Sequence, residues 1–294
     1  MHLMRYAHGP RTVTRFFGGR VSARRIGKGV MRMLPWAGIV AVAWALGPAP
    51  RAAADEKFDG KALYEKGVQS CVFLVVPLKE GNSLGSGTLI DAKQRLVLAC
   101  FHMVDGGDTV AAQFPVRLKD GSLETETKKY MQRVKDGQAI KGKVLFRDKS
   151  RDLALVQLDK LPSDTPALPL AKESTRVDEE VIAIGTFGRI TTAFITYRRT
   201  VRAVGVADLV GGGGDNVLRI KPKLVRMAGN NTCPISGGPV IDRRGNLVGI
   251  EESGIIDGGV VDPPIAIDVT EVRAFLTENK AELSEPKADP APKK

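Results

Sequence analysis

The sequence predicts an all-β fold built from two β units, and three of its features carry that prediction. From Val68 onward, short runs rich in Val, Ile, Leu and Phe alternate with Gly, Pro and Asp turn residues. No long amphipathic helix separates these runs, which argues against βαβ architecture and favours barrels or sandwiches. The segment Lys160–Pro169 contains three prolines and divides the strand region near its middle, as a linker between two units would.

Individual elements follow from the same pattern. The polar segment Asp55–Gly67 is predicted to form a short N-terminal helix, and Thr270–Leu283 has the helical spacing of an element that closes the second unit. Roughly a dozen strands are predicted, and examples of the runs are Cys71–Leu78, Gly87–Ile90, Leu96–Ala99, Thr109–Val116, Val144–Phe146, Leu153–Leu158, Val181–Ile184, Val217–Ile220, Val240–Ile241, Leu247–Ile250 and Pro264–Ile267.

Two basic segments interrupt this pattern. Arg117–Lys143 is polar with little periodicity, so we predict a long hairpin or a surface insertion, solvated rather than a binding patch. Tyr197–Arg226 contains the glycine run Gly211–Gly214 between strand-like runs, which suits a flexible hairpin tip. No Lys-Ser or Lys-Thr pair and no helix follow these glycines, so they are not predicted to bind phosphate.

The net charge belongs mostly to the first fifth of the chain. The whole sequence has 44 Lys and Arg against 33 Asp and Glu, a net charge of +11. Residues 1–54 hold nine of the basic residues and no acidic ones, so residues 55–294 carry a net charge of only +2. A net charge of +11 would suggest nucleic acid or an anionic membrane surface as a partner. The near-neutral remainder removes that argument, and we predict no nucleic-acid partner.

Residues 1–54 have the order of a secretory signal peptide. A basic segment precedes the uncharged, mostly apolar run Leu34–Leu46, and the small residues Ala52–Ala54 follow, with cleavage expected after Ala54. Thirteen helical residues reach about 20 Å, less than the hydrocarbon core of about 30 Å, which disfavours a stable membrane span. We predict an exported, periplasmic or secreted protein. An uncleaved leader acting as a membrane anchor is the alternative, and Arg24-Arg25 leaves the choice between Sec and twin-arginine export open.

The scarce residues narrow the chemistry. His102 is the only histidine after residue 54, and the cysteines are Cys71, Cys100 and Cys233. A disulfide between any two of the cysteines would leave one thiol over, and the pairing stays open. One histidine and scattered cysteines offer no metal-ligand spacing, so neither a metal nor an organic cofactor is predicted.

Three short motifs together indicate nucleophilic catalysis. The strand sequence LVLAC leads to His102, the segment RDLALV contains Asp152, and Ser236 begins SGGPVID. A nucleophilic serine needs a base to take its proton, and the base needs a carboxylate to hold its tautomer. Cys233 as the nucleophile is disfavoured, because the SGGP context indicates Ser236.

With GSGTLID before the histidine and GNLVGI after the serine, the sequence resembles the trypsin-like serine proteases, closest to the HtrA/Deg type of bacterial exported proteases. The resemblance runs from about Val68 to Leu276 and implies two six-stranded antiparallel β-barrels with a short C-terminal helix. It also implies that Ser236 is the nucleophile, His102 the general base and Asp152 the orienting carboxylate, in peptide hydrolysis through an acyl-enzyme. The substrates implied are unfolded or damaged envelope proteins.

The predicted organisation combines the leader, the two barrels and their connections. Its parts are the signal peptide 1–54 with its apolar run 34–46, an N-terminal segment 55–67, a first barrel 68–160 with His102 and Asp152, a linker 161–176, a second barrel 177–283 with Ser236 and the terminal helix, and a disordered tail 284–294. The family usually carries PDZ domains after the protease domain, and none is expected in the residues that follow here. Family members are often trimers, so the resemblance implies an oligomer.

Two departures from the family affect its oxyanion hole, which the resemblance assigns to the backbone at Ser236 and at position 234. The family normally has glycine at that position, but this chain has Pro234, which lacks an N–H. Loss of one such donor typically costs about 10²–10³ in rate. Ile235 replaces the usual Asp or Asn. The alternative prediction is therefore a pseudoprotease, a trypsin-fold binding or scaffold module.

The resemblance also places the substrate-binding residues. Asn230 occupies the position where trypsin-like enzymes that prefer Arg or Lys carry an acid, and a substrate strand and pocket would be lined by Glu251, Glu252, Ser253 and Gly254. We predict a preference for uncharged, small-to-medium apolar side chains. A side chain of Glu251 or Glu252 pointing into the pocket would change that preference.

Overall fold

The first six strands close into an antiparallel barrel, in the order β1-β2-β3-β6-β5-β4. Their sequences alternate or run apolar, so each strand buries side chains in the barrel. The strands are β1 Cys71–Pro77, β2 Asn82–Asp91, β3 Leu96–Cys100, β4 Thr109–Gln113, β5 Ile140–Asp148 and β6 Leu153–Leu158.

A second antiparallel barrel follows, and the fold class predicted from the sequence is confirmed. The strands are β7 Glu180–Gly185, β8 Ile195–Val206, β9 Leu209–Gly211, β10 Leu218–Ile220, β11 Lys223–Met227, β12 Pro239–Ile241, β13 Leu247–Glu252, β14 Ile256–Asp257, β15 Val260–Val261 and β16 Ile265–Asp268. Six of them close the barrel in the order β11-β16-β13-β12-β7-β8. The pairs β9–β10 and β14–β15 form two-stranded sheets.

In the part of the chain that the structure describes, four helices accompany the strands: α1 Gly60–Val68, α2 Phe101–Val104, α3 Thr127–Lys135 and α4 Val269–Glu278. The Asp59 carboxylate caps α1 by accepting bonds from two N–H groups, and Asp268 caps α4 by accepting one from Thr270. Helix α4 buries Val269, Val272 and Phe275, and it is the terminal helix that the sequence predicts.

This computed structural model describes residues 58–186, 192–211, 218–229, 235–252, 256–257, 260–261 and 263–280, all within the unit Ala53–Lys294. The predicted signal peptide, its apolar run and the predicted tail 284–294 lie outside these ranges. Within them, no helix has the length and apolar character needed to cross a membrane.

The prediction of a long hairpin or a surface insertion for Arg117–Lys143 agrees with the structure, because the segment connects the antiparallel strands β4 and β5. The sequence analysis did not predict that nine of its residues form helix α3, in which Tyr130 is buried. The Tyr130 hydroxyl donates to Glu124 O (2.9 Å) and accepts from Val116 N–H (3.1 Å). Met131 and Val134 pack half-buried against the same core as Tyr130, so α3 has an apolar face. The helical spacing of these three residues was the available signal in an otherwise polar stretch.

Strands β8 and β11 lie around Tyr197–Arg226, where the sequence predicts strand-like runs beside the glycines without giving their bounds. β8 alternates buried or half-buried residues with exposed ones and carries Arg198, Arg199 and Arg202, so its apolar pattern is faint. Pairing stabilises it instead: Arg198 forms an ion pair with Glu180, the neighbouring acid on β7. The hairpin predicted around Gly211–Gly214 agrees with the pairing of β9 with β10, while residues 212–217 lie outside the described ranges.

The linker between the barrels packs against both of them. Leu168 is buried, and its N–H donates to Leu89 O on β2 (3.0 Å). Leu170 forms a parallel bridge with Leu247 on β13, and Leu247 N–H donates to Pro169 O (2.8 Å). The linker therefore bonds to β2 of the first barrel and to β13 of the second, and both strands contribute residues to the candidate site.

Candidate active site

His102 lies just past the end of β3, in the one-turn helix α2. Asp152 holds this turn at three points. Its carbonyl accepts the N–H of Phe101 (3.1 Å), its Oδ1 accepts the N–H of His102 (2.8 Å) and its Oδ2 contacts His102 Nδ1 (2.7 Å). Because both carboxylate oxygens are used, the imidazole has one orientation, with Nδ1–H donating to Asp152 and Nε2 left as the basic nitrogen.

Asp152 is fully buried, and its backbone is in the left-handed region, with φ +54°. Asp tolerates this conformation better than most residues. Next to it, Arg151 donates to Asp148, Glu271 and Glu278, of which the last two lie on α4. The turn that presents Asp152 is thus tied to the C-terminal helix.

The environment of His102 sets its basicity. Burial lowers the pKa of His102, but the hydrogen bond and the charge of Asp152 raise it more, so the net pKa lies above the ordinary 6.5. About a third of the side chain is exposed, which leaves the edge of the imidazole accessible. The pair can accept a proton from a neighbouring group and hold it as an imidazolium next to a carboxylate.

Ser236 opens a tight turn before β12, and it is 7% exposed. Gly237 has φ +85°, and a Cβ at this residue would overlap Ser86 O on β2. Only glycine combines that backbone angle with so close an approach. Gly237 N–H donates to Glu251 O (2.8 Å), so the turn rests on β2 of the first barrel and β13 of the second.

The histidine and serine segments converge on β2. Ser86 N–H donates to Ser236 O (2.9 Å), and Thr88 Oγ1 donates to Gly237 O (3.0 Å). At Gly85, a Cβ would overlap Met103 Cε and would lie 3.3 Å from Ser236 O. Gly85 therefore packs between the residue after His102 and the backbone of Ser236. This close packing explains why the GSGT motif has a glycine at Gly85.

The two acids that the sequence places in a substrate pocket are both buried, Glu251 at 0% and Glu252 at 2% exposure. Burial raises the pKa of Glu251 to about 8, and Arg199 Nη2, 4.0 Å from Glu251 Oε1, lowers it only in part. For Glu252, burial, Asp152 and Glu251 all raise the pKa, well above the ordinary value. Whether either acid contacts substrate stays a prediction.

Several predicted site residues lie outside the described ranges: Asn230, Cys233, Pro234, Ser253 and Gly254. The oxyanion hole at position 234 and the pocket therefore stay predictions from the sequence. Cys71 and Cys100 are buried free thiols, so no disulfide joins those two.

Cys100 is a member of the site whose role the sequence did not predict. Its Sγ lies 3.4 Å from Glu251 O, and ligand atoms of Cys100, His102 and Asp152 lie within 4.8 Å of one another. Burial and the nearby acids raise the pKa of this thiol well above its ordinary value. A neutral thiol and a hydrogen-bonded His–Asp pair are poor metal ligands, because metals bind the thiolate. The position of Cys100 two residues before His102 was the available signal.

Comparison with known proteins agrees with this architecture. The family model described as "Trypsin-like peptidase domain" matches residues 85–250. A Haemophilus influenzae protein named "Probable periplasmic serine protease do/HhoA-like" is 29% identical over 181 residues, which cover 60% of this chain and 32% of that protein. "Periplasmic serine endoprotease DegP" of Salmonella typhimurium is 28% identical over 199 residues, 67% of this chain and 35% of that protein.

The chain thus spans about a third of the length of these curated relatives. Among solved structures, the active form of the Rv3671c protease from M. tuberculosis superposes with a TM-score of 0.54 at 19% identity, covering 84% of this chain and 97% of that one. At that identity the structural likeness shows the fold alone.

Proposed function

Because the chain belongs to the trypsin-like peptidase domain family, we propose that it is an exported serine endopeptidase with Ser236 as nucleophile, His102 as general base and Asp152 as orienting carboxylate. The observation that carries the proposal is the pair of hydrogen bonds between the Asp152 carboxylate and His102. Two side-chain oxygens hold the backbone N–H and Nδ1 of one histidine at 2.8 and 2.7 Å. A structural histidine needs no such two-point alignment to a buried carboxylate.

The reaction follows from this alignment. His102 Nε2 removes the hydroxyl proton of Ser236 as Oγ attacks the peptide carbonyl, and the resulting imidazolium is stabilised by Asp152. The imidazolium then gives its proton to the leaving amine, and an acyl-enzyme remains. Water, activated by His102, hydrolyses the ester and restores the serine. Asp152 keeps its charge throughout.

The substrates that we propose are unfolded or damaged proteins of the envelope. This assignment rests on the resemblance to HtrA/Deg proteases and on the periplasmic names of the relatives. The leader of residues 1–54 supports export by the same reasoning from sequence. N-terminal sequencing of the protein recovered from the periplasm, expected to begin at Asp55, checks both cleavage and location.

The preference for uncharged side chains belongs to the same proposal. Glu251, with a pKa of about 8, is mostly neutral at pH 7, so it presents little negative charge to a substrate. Its side chain lies beside Arg199, on a strand of the second barrel.

A pseudoprotease is the second candidate, and one observation favours it: Pro234 has no N–H to stabilise an oxyanion. The two candidates differ in whether Ser236 reacts. In the pseudoprotease, the same fold binds polypeptides or partners without cleaving them.

Labelling with a fluorophosphonate probe decides between them, with Ser236→Ala and His102→Ala as matched controls. The peptidase is expected to label at Ser236 and to cleave unfolded casein, and both controls should lose these reactions. Absence of labelling in protein with a native circular-dichroism spectrum would establish the pseudoprotease. If the missing N–H limits turnover, Pro234→Gly should raise the rate by at least about tenfold.

A further inference from the structure

The Ser86 hydroxyl joins the two barrels next to the turn that carries Ser236. Ser86 lies on β2 of the first barrel and is fully buried. Its Oγ accepts the N–H of Thr186 (2.7 Å) and donates to Thr186 O (3.4 Å), and Thr186 directly follows β7 of the second barrel. A serine hydroxyl has one proton to donate, so these two bonds use its donor and one acceptor site. The side chain of Ser86 is therefore fixed against the end of β7.

The backbone of the same residue holds the nucleophile turn. Ser86 N–H donates to Ser236 O (2.9 Å). Because the N–H and the side chain of Ser86 belong to one residue, a shift of the side chain also displaces the N–H. Ser86 thus connects the end of β7 with the backbone of Ser236.

Gly185, the last residue of β7, packs against both parts of this connection. A Cβ at Gly185 would lie 2.6 Å from Ser86 Oγ and 2.7 Å from Ile235 Cβ, which is closer than real Cβ atoms approach. Ile235 is fully buried and directly precedes Ser236. Residues 235 and 236 therefore pack on a surface formed by Ser86 and the end of β7.

The peptide group between Ile235 and Ser236 matters for the proposed reaction. The resemblance assigns an oxyanion donor to the N–H of Ser236, and Pro234 has no N–H to add. Ile235 O, the carbonyl of this peptide group, accepts the N–H of Gly238 (3.0 Å), while the next peptide group is held at Ser236 O by Ser86. An oxyanion donor is effective because it is in place before the reaction, so a loosened turn lowers the rate.

Thr186 is itself held by the segment that enters β8. Its Oγ1 accepts the N–H of Phe194 (3.0 Å), and the Phe194 ring packs edge-to-face against Tyr130 of α3, with ring centroids 5.3 Å apart. Phe194 O accepts the hydroxyl proton of Tyr64 on α1 (2.8 Å). Contacts with two helices therefore fix the position from which Thr186 binds Ser86.

We propose that Ser86 is a positioning residue for Ser236: its buried hydroxyl binds Thr186 and thereby fixes the N–H group that holds Ser236 O. Ser86 acts through the backbone of the nucleophile and not on the reacting atoms. The effect on rate rests on the proposed peptidase function, whereas the effect on the backbone at Ser236 does not.

The first test measures kcat and KM for the hydrolysis of unfolded casein by the full-length Ser86→Ala protein, with Ser70→Ala as the matched control. Ser70 is also buried, and its Oγ donates to Pro166 O at 2.7 Å, away from the turn at Ser236. Ser86→Ala should lower kcat about 10- to 100-fold with KM nearly unchanged, because the nucleophile is displaced and substrate binding is not. Ser70→Ala should keep the kcat of the unsubstituted protein.

Thr186 provides a second pair of variants, which tests the proposal even if Ser86→Ala does not fold. Thr186→Val removes the hydroxyl that accepts the N–H of Phe194 and loosens the residue that binds Ser86. It should lower kcat about threefold to tenfold, the effect of one hydrogen bond. Thr186→Ser keeps the hydroxyl and should restore the kcat of the unsubstituted protein.

The third test does not need a reactive serine. In the full-length Ser236→Ala protein, which keeps the backbone carbonyl at position 236, amide hydrogen exchange is followed by NMR. Adding Ser86→Ala should speed exchange at residue 86 and at Gly237 by at least about tenfold, because the hydrogen bonds of the two amides open with the turn. Adding Ser70→Ala should leave both exchange rates unchanged.

Two results would overturn the role of Ser86. One is a kcat equal to that of Ser70→Ala in a Ser86→Ala protein with a native circular-dichroism spectrum, or an unchanged kcat in Thr186→Val. The other is exchange at residue 86 and Gly237 that Ser86→Ala does not alter. If fluorophosphonate labelling fails while exchange responds to Ser86→Ala, the peptidase proposal is wrong and the positioning of the turn by Ser86 is supported.

Discussion

At the scale of single residues, the site depends on how buried charges are neutralised. Asp152 has His102 as a hydrogen-bonding partner, while among the described residues the Glu251 carboxyl has no hydrogen bond and has Arg199 at 4.0 Å to oppose the cost of burial. That distance is too long for a hydrogen-bonded ion pair, and the pKa of about 8 reflects it. The sequence placed acids at these positions, but it gave no way to tell which would be charged.

Glu251 makes the stability of the protein depend on pH. The pKa of Glu251 is about 8 in the folded protein, against an ordinary value of 4.5 in the unfolded chain. Between these two pH values the folded state therefore binds more protons than the unfolded state. The stability that protonated Glu251 contributes is therefore fully present below about pH 4.5 and is lost as the pH rises through 8. Glu251→Gln should leave Tm nearly unchanged at pH 5 and raise it at pH 8.5.

Thermal unfolding at the two pH values measures this effect, and the exposed Glu80→Gln is the control, with equal Tm shifts at both. A difference between Glu251→Gln and the unsubstituted protein that is independent of pH would contradict the assignment.

At the scale of elements, the turn at Ser236 shows what local sequence can predict. SGGP indicates a tight turn, and the structure gives the reason for the first glycine in its φ of +85° and its contact with Ser86 O. Helix α3 shows the opposite case. Its one buried aromatic, Tyr130, packs against Phe73 and Phe194, which are 57 and 64 residues away in the chain. The helical spacing of the apolar residues of α3 is local, but the sequence does not state which distant residues they pack against.

Gly237→Ala should destabilise the protein by at least about 2–4 kcal/mol, because it combines an unfavourable φ with overlap of a backbone oxygen. Gly121→Ala is the matched control: its φ is +83°, but a Cβ there meets nothing within 4 Å. The control should lose only about 1–2 kcal/mol. Urea unfolding of both variants gives the comparison, and equal losses would show that the backbone angle alone matters.

At the scale of the whole molecule, residues of both barrels share one hydrophobic core, and a polar contact joins the first barrel to the C-terminal helix. Arg151, between β5 and β6 of the first barrel, binds Glu271 and both carboxylate oxygens of Glu278 on α4. The first distance is 3.1 Å, and the other two are 2.7 and 2.8 Å. Hydrogen bonds to these acids, led by Glu278, raise the pKa of Arg151 further. Because Asp152 is the next residue in the chain, Arg151 connects α4 to the turn that carries Asp152.

Arg151→Ala should lower the free energy of unfolding by about 1–3 kcal/mol, because its side chain is only 21% exposed and several carboxylates lose their partner. Arg117→Ala is the control. Its ion pair with Glu65 is nearly half exposed on both sides, so its loss should stay within about 1 kcal/mol. Chemical denaturation of the two variants measures the difference, and similar losses would refute the anchoring role.

The sequence by itself predicted an all-β protein of two units, and its motifs made His102, Asp152 and Ser236 the candidates for catalysis. The resemblance of those motifs to trypsin-like proteases added the two barrels and the role of each residue. Only the tertiary structure decided what surrounds them. Glu252 is 100 residues from Asp152, and Arg151 is 120 from Glu271. Alternation states which face a side chain occupies, but the closure of the barrels and their packing decide which charges meet on that face.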